Sequence, residues 1–287
     1  MIVRLATRRS ALALAQTAWV AASLRNAHPG LEVEHLEVES AGDHDRASPI
    51  ARLTEVGAFV TALQEAVLAG RADAAVHSLK DLPTRPTPGL VLVAIPARED
   101  PRDVLVSGGQ TLAGLPAGAR VGTGSPRRSA QVRLARPDVA VVPIRGNVDT
   151  RLKRVAPGDL DGVVLAAAGL RRLGRSGAVT EYLDPHRHVP CPGQGALAIE
   201  AREDDARLAE LGAAVHHPAT AAATGAERDW LHEIGVGCRS AAGAFAEAVG
   251  ETHTLACFLD DERGPRHFCV RGAPGELAWA ALAADRP

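Results

Sequence analysis

Through about residue 200 the sequence alternates short β-branched runs with stretches of helical spacing, and no other feature constrains the fold as strongly. "IVRLAT" is followed by a helix that Ser10 can cap and that ends near "HPG". "LEVEHLEVES" alternates like a strand, and "GAFVTALQEAVLAG" is an amphipathic helix closed by Gly70. Then come "ADAAVHS", "LVLVAI", "DVLVS", "ARVGT", a helix from Ser125, "VAVVPI", a helix from Asn147, and "DGVVLAAAG". This pattern predicts an α/β fold with parallel sheets, right-handed crossovers and ligand sites just beyond the carboxyl ends of the strands.

A chain of 287 residues suits two or three domains. "PAREDPRD" at 96–103 and "HVPCPGQG" at 188–195 are rich in proline, glycine or charge and read as crossings between one pair of domains. The expected division is a discontinuous α/β domain of residues 1–97 and 195–217, and a second α/β domain of residues 98–194. After Pro218 one long helix precedes "AGAFAEAV", "HTLACFL" and "RHFCVRGA", which read as antiparallel strands, and then a last helix. Residues 218–287 are thus expected to form a small α+β domain. No solenoid-length repeat is visible.

The hydrophobic fraction of 46% and the charged fraction of 23% fit a soluble globular protein, and no apolar run reaches membrane-spanning length. The formal net charge is -2, yet the cations are nearly all arginine, with Lys80 and Lys153 the only lysines. Arginine grips carboxylates and phosphates with a planar fork, whereas lysine acts as a point charge. Cys191, Cys238, Cys257 and Cys269 have no CxxC spacing, which points to a reducing cytoplasm. Arg8-Arg9 before an apolar stretch also suits a twin-arginine leader, but Gln16 and the helical spacing favour a first strand and first helix.

Six stretches bear chemistry. In "AAVHSLKDLPT" a strand ends by placing Lys80 beside Asp81; alone, that pair fits a solvated turn better than a catalytic one. In "VGTGSPRRSAQ" Ser125 caps a helix whose first turn holds Arg127 and Arg128, where cations are normally disfavoured. An anionic ligand reverses that penalty. "PIRGNVDTRLKR" and "LAAAGLRRLG" follow later strands with Arg145, Arg151, Arg171 and Arg172, and Arg8 with Ser10 follows the first. Several such arginines outline a basic cleft for a small polycarboxylate or polyphosphate. Nucleic acid is a poorer fit, because aromatics are only 3% and the overall charge is slightly negative. Cys238, on a glycine-flanked loop, is the cysteine best able to reach a cleft between domains. Cys257 and Cys269 read as buried small hydrophobes on their strands. The histidines, including His186, His188, His216 and His217, show no metal-binding spacing, and no metal is expected.

Taken in order, "HSLKDLP", "GTGSPRRSAQ", "RGNVDTRL", "PGQGALAIE" and "GVGCRSAAG" resemble the porphobilinogen deaminase family, from the first strand to past Cys238. The resemblance implies two α/β domains of periplasmic-binding-protein type and a third α+β domain bearing the cysteine. It implies a cytoplasmic, monomeric transferase of tetrapyrrole and heme biosynthesis. Such an enzyme condenses four porphobilinogen molecules, with release of ammonia, into hydroxymethylbilane on a dipyrromethane primer. By the same matching Asp81 is catalytic, Cys238 holds the primer through a thioether, and Arg8, Ser10, Gln16, Lys80, Thr123, Ser125, Arg127, Arg128, Arg145, Arg151, Arg172 and Gln194 bind substrate and cofactor carboxylates. The chain departs from the family at residues 46–58, where "ARLTEVGAF" carries Arg52 and Glu55, at Gly124 where a serine is common, and at Arg239, Ser240 and Ala241. The alternative that this architecture supports is a non-catalytic anion-binding protein of periplasmic-binding-protein type.

Overall fold

The computed structural model describes residues 1–39, 58–235 and 241–285. Cys238, Arg239 and Ser240, and Arg52 and Glu55 of the divergent stretch, lie outside the described residues. The first described elements are β1 (Ile2–Thr7), α1 (Ala11–Ala27), β2 (Glu32–Glu37), α2 (Ala58–Leu68), β3 (Ala74–Ser78), a 3-10 turn (Leu79–Asp81) and β4 (Leu90–Ala94). Next come β5 (Asp103–Ser107), β6 (Arg120–Thr123), α3 (Pro126–Ala135), β7 (Ala140–Pro143), α4 (Val148–Leu152), β8 (Gly162–Ala166), α5 (Ala167–Arg172) and β9 (Glu181–Tyr182). The chain ends with β10 (Leu197–Arg202), α6 (Ala206–Ala213), α7 (Pro218–Glu233), β11 (Ala241–Val249), β12 (Thr252–Asp261), β13 (Gly264–Gly272) and α8 (Leu277–Ala284).

These elements form two compact units, Met1–Arg98 with Ala196–Ala221 and Glu99–Gly195 with Ala222–Pro287. The first unit holds a five-stranded sheet of order β2-β1-β3-β10-β4. Val20, Ala21 and Leu24 of α1 and Leu208 and Leu211 of α6 bury one of its faces. Leu63, Ala66 and Val67 of α2 pack in a second core with Ala6, Ala75 and Leu90. The apolar side chains of α1 recur at helical spacing because only that face meets the sheet.

The second unit holds a five-stranded sheet of order β7-β6-β8-β5-β9 and a three-stranded antiparallel sheet of order β11-β12-β13. One face of the small sheet packs on α7 and α8 through Trp230, Leu231, Leu277 and Ala281. From β11 and β12, Phe245 and Phe258 pack on Val189 and Ala130. The architecture is therefore α/β with a small C-terminal α+β portion, as expected.

The expectation of parallel sheets needs correcting. β1 pairs parallel with β2 and β3, but β10 runs antiparallel to β3 and to β4. In the second sheet β6 is parallel to β7 and β8, while β5 runs antiparallel to β8 and β9. Parallel neighbours need a crossover back over the sheet. A strand delivered from another sheet has no such requirement, and β5 and β10 are the two that follow the crossings at 96–103 and 188–195. The reading of Cys269 also changes: β13 is an edge strand, and its Cys269 is exposed, whereas Cys257 on the central β12 is buried. Burial pushes the Cys257 thiol well up.

Gly195 closes the return crossing with φ +89, and a Cβ built there would collide with the Glu99 carbonyl oxygen. Left-handed backbone costs a residue with a side chain on the order of 1–3 kcal/mol, and the collision adds to it. Gly195→Ala is expected to lower the urea midpoint clearly; an unchanged midpoint would show that the crossing adjusts freely.

Candidate functional site

In the first unit, parallel pairing brings the ends of β1 and β3 out at one edge of the sheet. Ser10 caps α1 there, its Oγ accepting from the Ala13 N–H at 3.2 Å. Buried Gln16, from the second turn of α1, donates through Nε2 to Ser78 Oγ at 2.7 Å and so ties the helix to the last residue of β3. The 3-10 turn then has two faces. Leu79 and Leu82 are buried with Val60, Ala196 and Ala198, and the Leu79 N–H bonds the Ala196 carbonyl at 3.0 Å. Lys80 is half-buried and Asp81 exposed. The apolar residues three apart fix the turn, which leaves Asp81 between them turned outward. Arg8, half-buried, follows β1 at the same edge.

In the second unit, β6, β7 and β8 likewise end at one edge. Thr123 is buried at the end of β6, and its Oγ1 accepts from the Ser125 N–H at 3.2 Å. Ser125 in turn caps α3 by accepting from the Arg128 N–H at 3.4 Å. The arginines of α3 meet an anion belonging to the protein itself, the carboxylate of Asp103 on β5. Arg127 Nη1 donates to Asp103 Oδ2 at 2.7 Å and to the Val189 carbonyl at 2.6 Å. Arg128 donates to Asp103 Oδ1 through Nε at 3.0 Å and Nη2 at 2.8 Å, and to the Val164 carbonyl through Nη1 at 3.3 Å. Gln194 joins by donating to Asp103 Oδ1 at 2.8 Å and to the Pro101 carbonyl at 2.7 Å, while its Oε1 accepts from Arg128 at 3.3 Å. Burial alone raises a carboxyl pKa, but the two guanidiniums hold that of Asp103 well below the usual range.

The remaining arginines stand in a different condition. Arg151 Nε donates to the Gly146 carbonyl at 2.8 Å, and burial followed by the nearby Arg128 charge lowers its pKa. Arg172 Nη2 donates to the Gly195 carbonyl at 2.7 Å, and burial pushes its pKa down to about 10 against the opposing pull of Glu99. Arg145 Nη2 is buried with no hydrogen-bond partner among the described residues. None of these three forms an ion pair among the described residues, so each is a desolvated donor suited to an incoming anion. A Cβ on Gly124 would lie 2.7 Å from the Ile144 carbonyl oxygen and 3.8 Å from Arg151 Nη2, so a side chain there would force the backbone at Ile144 to shift.

A family model described as "Porphobilinogen deaminase, dipyromethane cofactor binding domain" matches residues 3–210. The chain belongs to the porphobilinogen deaminase family. A relative from Acidothermus cellulolyticus, named porphobilinogen deaminase, is 46% identical over 99% of this chain and 88% of its own length. One from Thermobifida fusca with the same name is 52% identical over 86% of this chain and 78% of its own. Among solved structures, the methionine binding protein MetQ is 12% identical and covers 75% of this chain and 89% of its own with a TM-score of 0.46. The fold rests on strand order, not on that likeness.

Within the porphobilinogen deaminase frame, the residues expected at the site fall into two sets. Arg8, Ser10, Gln16, Lys80 and Asp81 gather at the sheet edge of the first unit. In the second unit, Thr123, Ser125, Arg127, Arg128, Arg172 and Gln194 are linked through Asp103 and the backbone of 194–195, while Arg151 bonds the Gly146 carbonyl and Arg145 follows β7. The sequence reading did not single out Asp103, because a carboxylate opening a strand inside "REDPRD" looks like surface charge. It also missed Glu227, fully buried in α7, whose oxygens accept from the Gly193 N–H at 2.7 Å and the Ala246 N–H at 2.9 Å. A charged residue on the core-facing stripe of "ATAAATGAERDWLHEIG" was the available signal. A third buried group joins Gln64, His77 and Glu200 in the first unit. No helix of the described residues is long and apolar enough to cross a membrane.

Proposed function

We propose that this chain carries out the family reaction, stepwise condensation of four porphobilinogen molecules into hydroxymethylbilane with loss of ammonia, using Asp81 as its catalytic carboxylate. The family match carries this reading, and the desolvated guanidiniums give it a physical basis. Every pyrrole unit brings an acetate and a propionate, so Arg145, Arg151 and Arg172 offer buried donors to groups that need them. Lys80 adds a point charge for a further carboxylate.

The same donors fit the dipyrromethane, whose acid side chains match the orphaned Arg145 Nη2 and the withdrawn Arg172. Held by a thioether to Cys238, that group supplies the pyrrole carbon on which the chain begins. Arg8, Ser10, Gln16, Thr123, Ser125, Arg127, Arg128 and Gln194 complete the acid-binding set, in part by fixing their neighbours. Asp81 has the opposite electrical task. When ammonia leaves porphobilinogen, the remaining pyrrole is cationic, and arginines alone repel it. The Asp81 carboxylate oxygens, placed at the pyrrole N–H, stabilise that cation and accept the proton released when the carbon–carbon bond forms.

The non-catalytic anion-binding alternative is not favoured by the named relatives. The reading extends to a monomer in the cytoplasm, with 218–287 as the domain that bears the cysteine, following 1–97 with 195–217 and 98–194. Incubation with porphobilinogen tests the activity: the protein should consume it and release about one ammonia per molecule used. Consumption without ammonia release would refute condensation.

Arg172 allows a sharper test. Its buried charge costs stability when no anion is near, and at neutral pH it remains protonated, since its folded pKa of about 10 lies well above 7. Arg172→Gln should therefore unfold at no lower temperature than the unsubstituted protein. Its KM for porphobilinogen should rise roughly 10–100-fold, because a charge-assisted hydrogen bond is worth about 1.5–3 kcal/mol. A lower midpoint with unchanged KM would make Arg172 a purely structural residue.

A further inference from the structure

Three of the acid-binding residues, Arg127, Arg128 and Gln194, converge on one carboxylate that belongs to the protein. Asp103 is 1% exposed, Gln194 1%, Arg127 3% and Arg128 7%. Two guanidiniums against one carboxylate leave a single net positive charge in a buried place. The donors are not exhausted either: Arg127 bonds Asp103 and the Val189 carbonyl through Nη1 alone, and its Nε and Nη2 make no hydrogen bond among the described residues. The other end of this group is fixed to β11. A Cβ on Gly243 would lie 2.6 Å from the Val189 carbonyl oxygen and 3.1 Å from Arg127 Cδ, and the Ala244 N–H bonds the Pro190 carbonyl at 3.0 Å. β11 starts three residues after Cys238 in the sequence, so the arginine that Asp103 orients also abuts the strand leading away from the attachment cysteine.

We propose that Asp103 is a positioning residue for the condensation: it fixes the planes of Arg127 and Arg128 and the carboxamide of Gln194, and it halves their charge. The inference rests on the functional reading above. The reason for such a residue lies in the chemistry of elongation. Each added unit brings two more carboxylates, and the pair must hold them in place yet let them shift as the next unit arrives. Two uncompensated buried guanidiniums grip acids too firmly for that, and without a shared anchor they repel one another out of alignment. With Asp103 between them, the forks are preset and the net charge is one.

The test is Asp103→Asn, which keeps the shape and removes the negative charge. In the amide form one fork faces a donor instead of an acceptor, and the group carries two positive charges. The variant should fold with a lowered thermal midpoint, and kcat should fall roughly 10–100-fold, by analogy with the loss of residues that orient the ligands of a metal site. KM for porphobilinogen should stay level or drop, since the charge that attracts acids has grown. Intact masses sampled during turnover should shift toward protein carrying additional pyrrole units. A merely structural role lowers the midpoint and the active fraction but leaves the proportions of those masses unchanged, and that pattern would overturn the proposal.

Asp103→Glu carries the test if the amide variant does not fold. It keeps the charge and moves it by one methylene, so KM and the mass proportions should match the unsubstituted protein while kcat falls about tenfold from misplacement. Unaltered kcat in Asp103→Glu, or a raised KM with full kcat in Asp103→Asn, refutes positioning. Unsubstituted protein that leaves porphobilinogen untouched would remove the functional reading and this inference together, whereas normal turnover in both variants removes the inference alone.

Discussion

Asp81→Asn is expected to fold like the parent, keep its covalent pyrrole adduct, and lose turnover of porphobilinogen by about 10²–10⁴-fold, the range for removing a positioned proton acceptor or charge stabiliser. Folding should survive because the side chain is exposed and the turn is held by others. Leu79 and Leu82 lie in the core, and the Leu79 N–H is bonded to Ala196. Asparagine matches the size of aspartate but has no negative charge to set against the cationic pyrrole and no free oxygen basic enough to take its proton. The loss should fall on kcat, with KM nearly constant, because the acids of the substrate are held by arginines elsewhere. Near-normal kcat would remove Asp81 from the catalytic role and leave the pair with Lys80 as a solvated turn.

Cys238→Ala should give protein whose intact mass equals that of its sequence, while the unsubstituted protein should exceed its own sequence mass by two linked pyrrole units. Turnover should fall to background, since the chain then has no anchor on which to grow. Three other cysteines serve as internal controls. Cys257 is buried with its thiol pKa raised, Cys191 is half-buried, and Cys269 is exposed on an edge strand. If the adduct persists at full mass in Cys238→Ala, the exposed Cys269 is the first replacement to examine, and the assignment made by matching "GVGCRSAAG" fails.

Much of this was legible in the sequence, and what was not has physical causes. The caps at Ser10, Ser125 and Asn147 followed from local chemistry, because a side-chain oxygen at a helix start reports on its own backbone. The charged turn at Lys80 and Asp81 could be placed because apolar residues bracket it. Strand direction in β5 and β10 was not accessible, since periodicity is the same whichever way a strand runs. The inward orientation of Asp103 was hidden for a related reason: its partners lie 24, 25 and 91 residues away in the chain. Before the structure, Arg127 and Arg128 looked like ligands awaiting an external acid; the fold supplies one internally, whereas Arg145, Arg151 and Arg172 pair with no carboxylate among the described residues. Cys269 was misread because alternation along β13 fixes a phase but does not say which phase meets the helices.

The reversed strand β10 also bears on how the molecule is made. It sits between β3 and β4, so the first sheet lacks an inner member until residues 197–202 have been synthesised. An N-terminal fragment ending near residue 190 would leave unpaired the edges of β3 and β4 that β10 covers in the complete sheet, inviting self-association of nascent chains. Ribosome-stalled products of that length should therefore engage chaperones or aggregate, and extending them past Arg202 should relieve both.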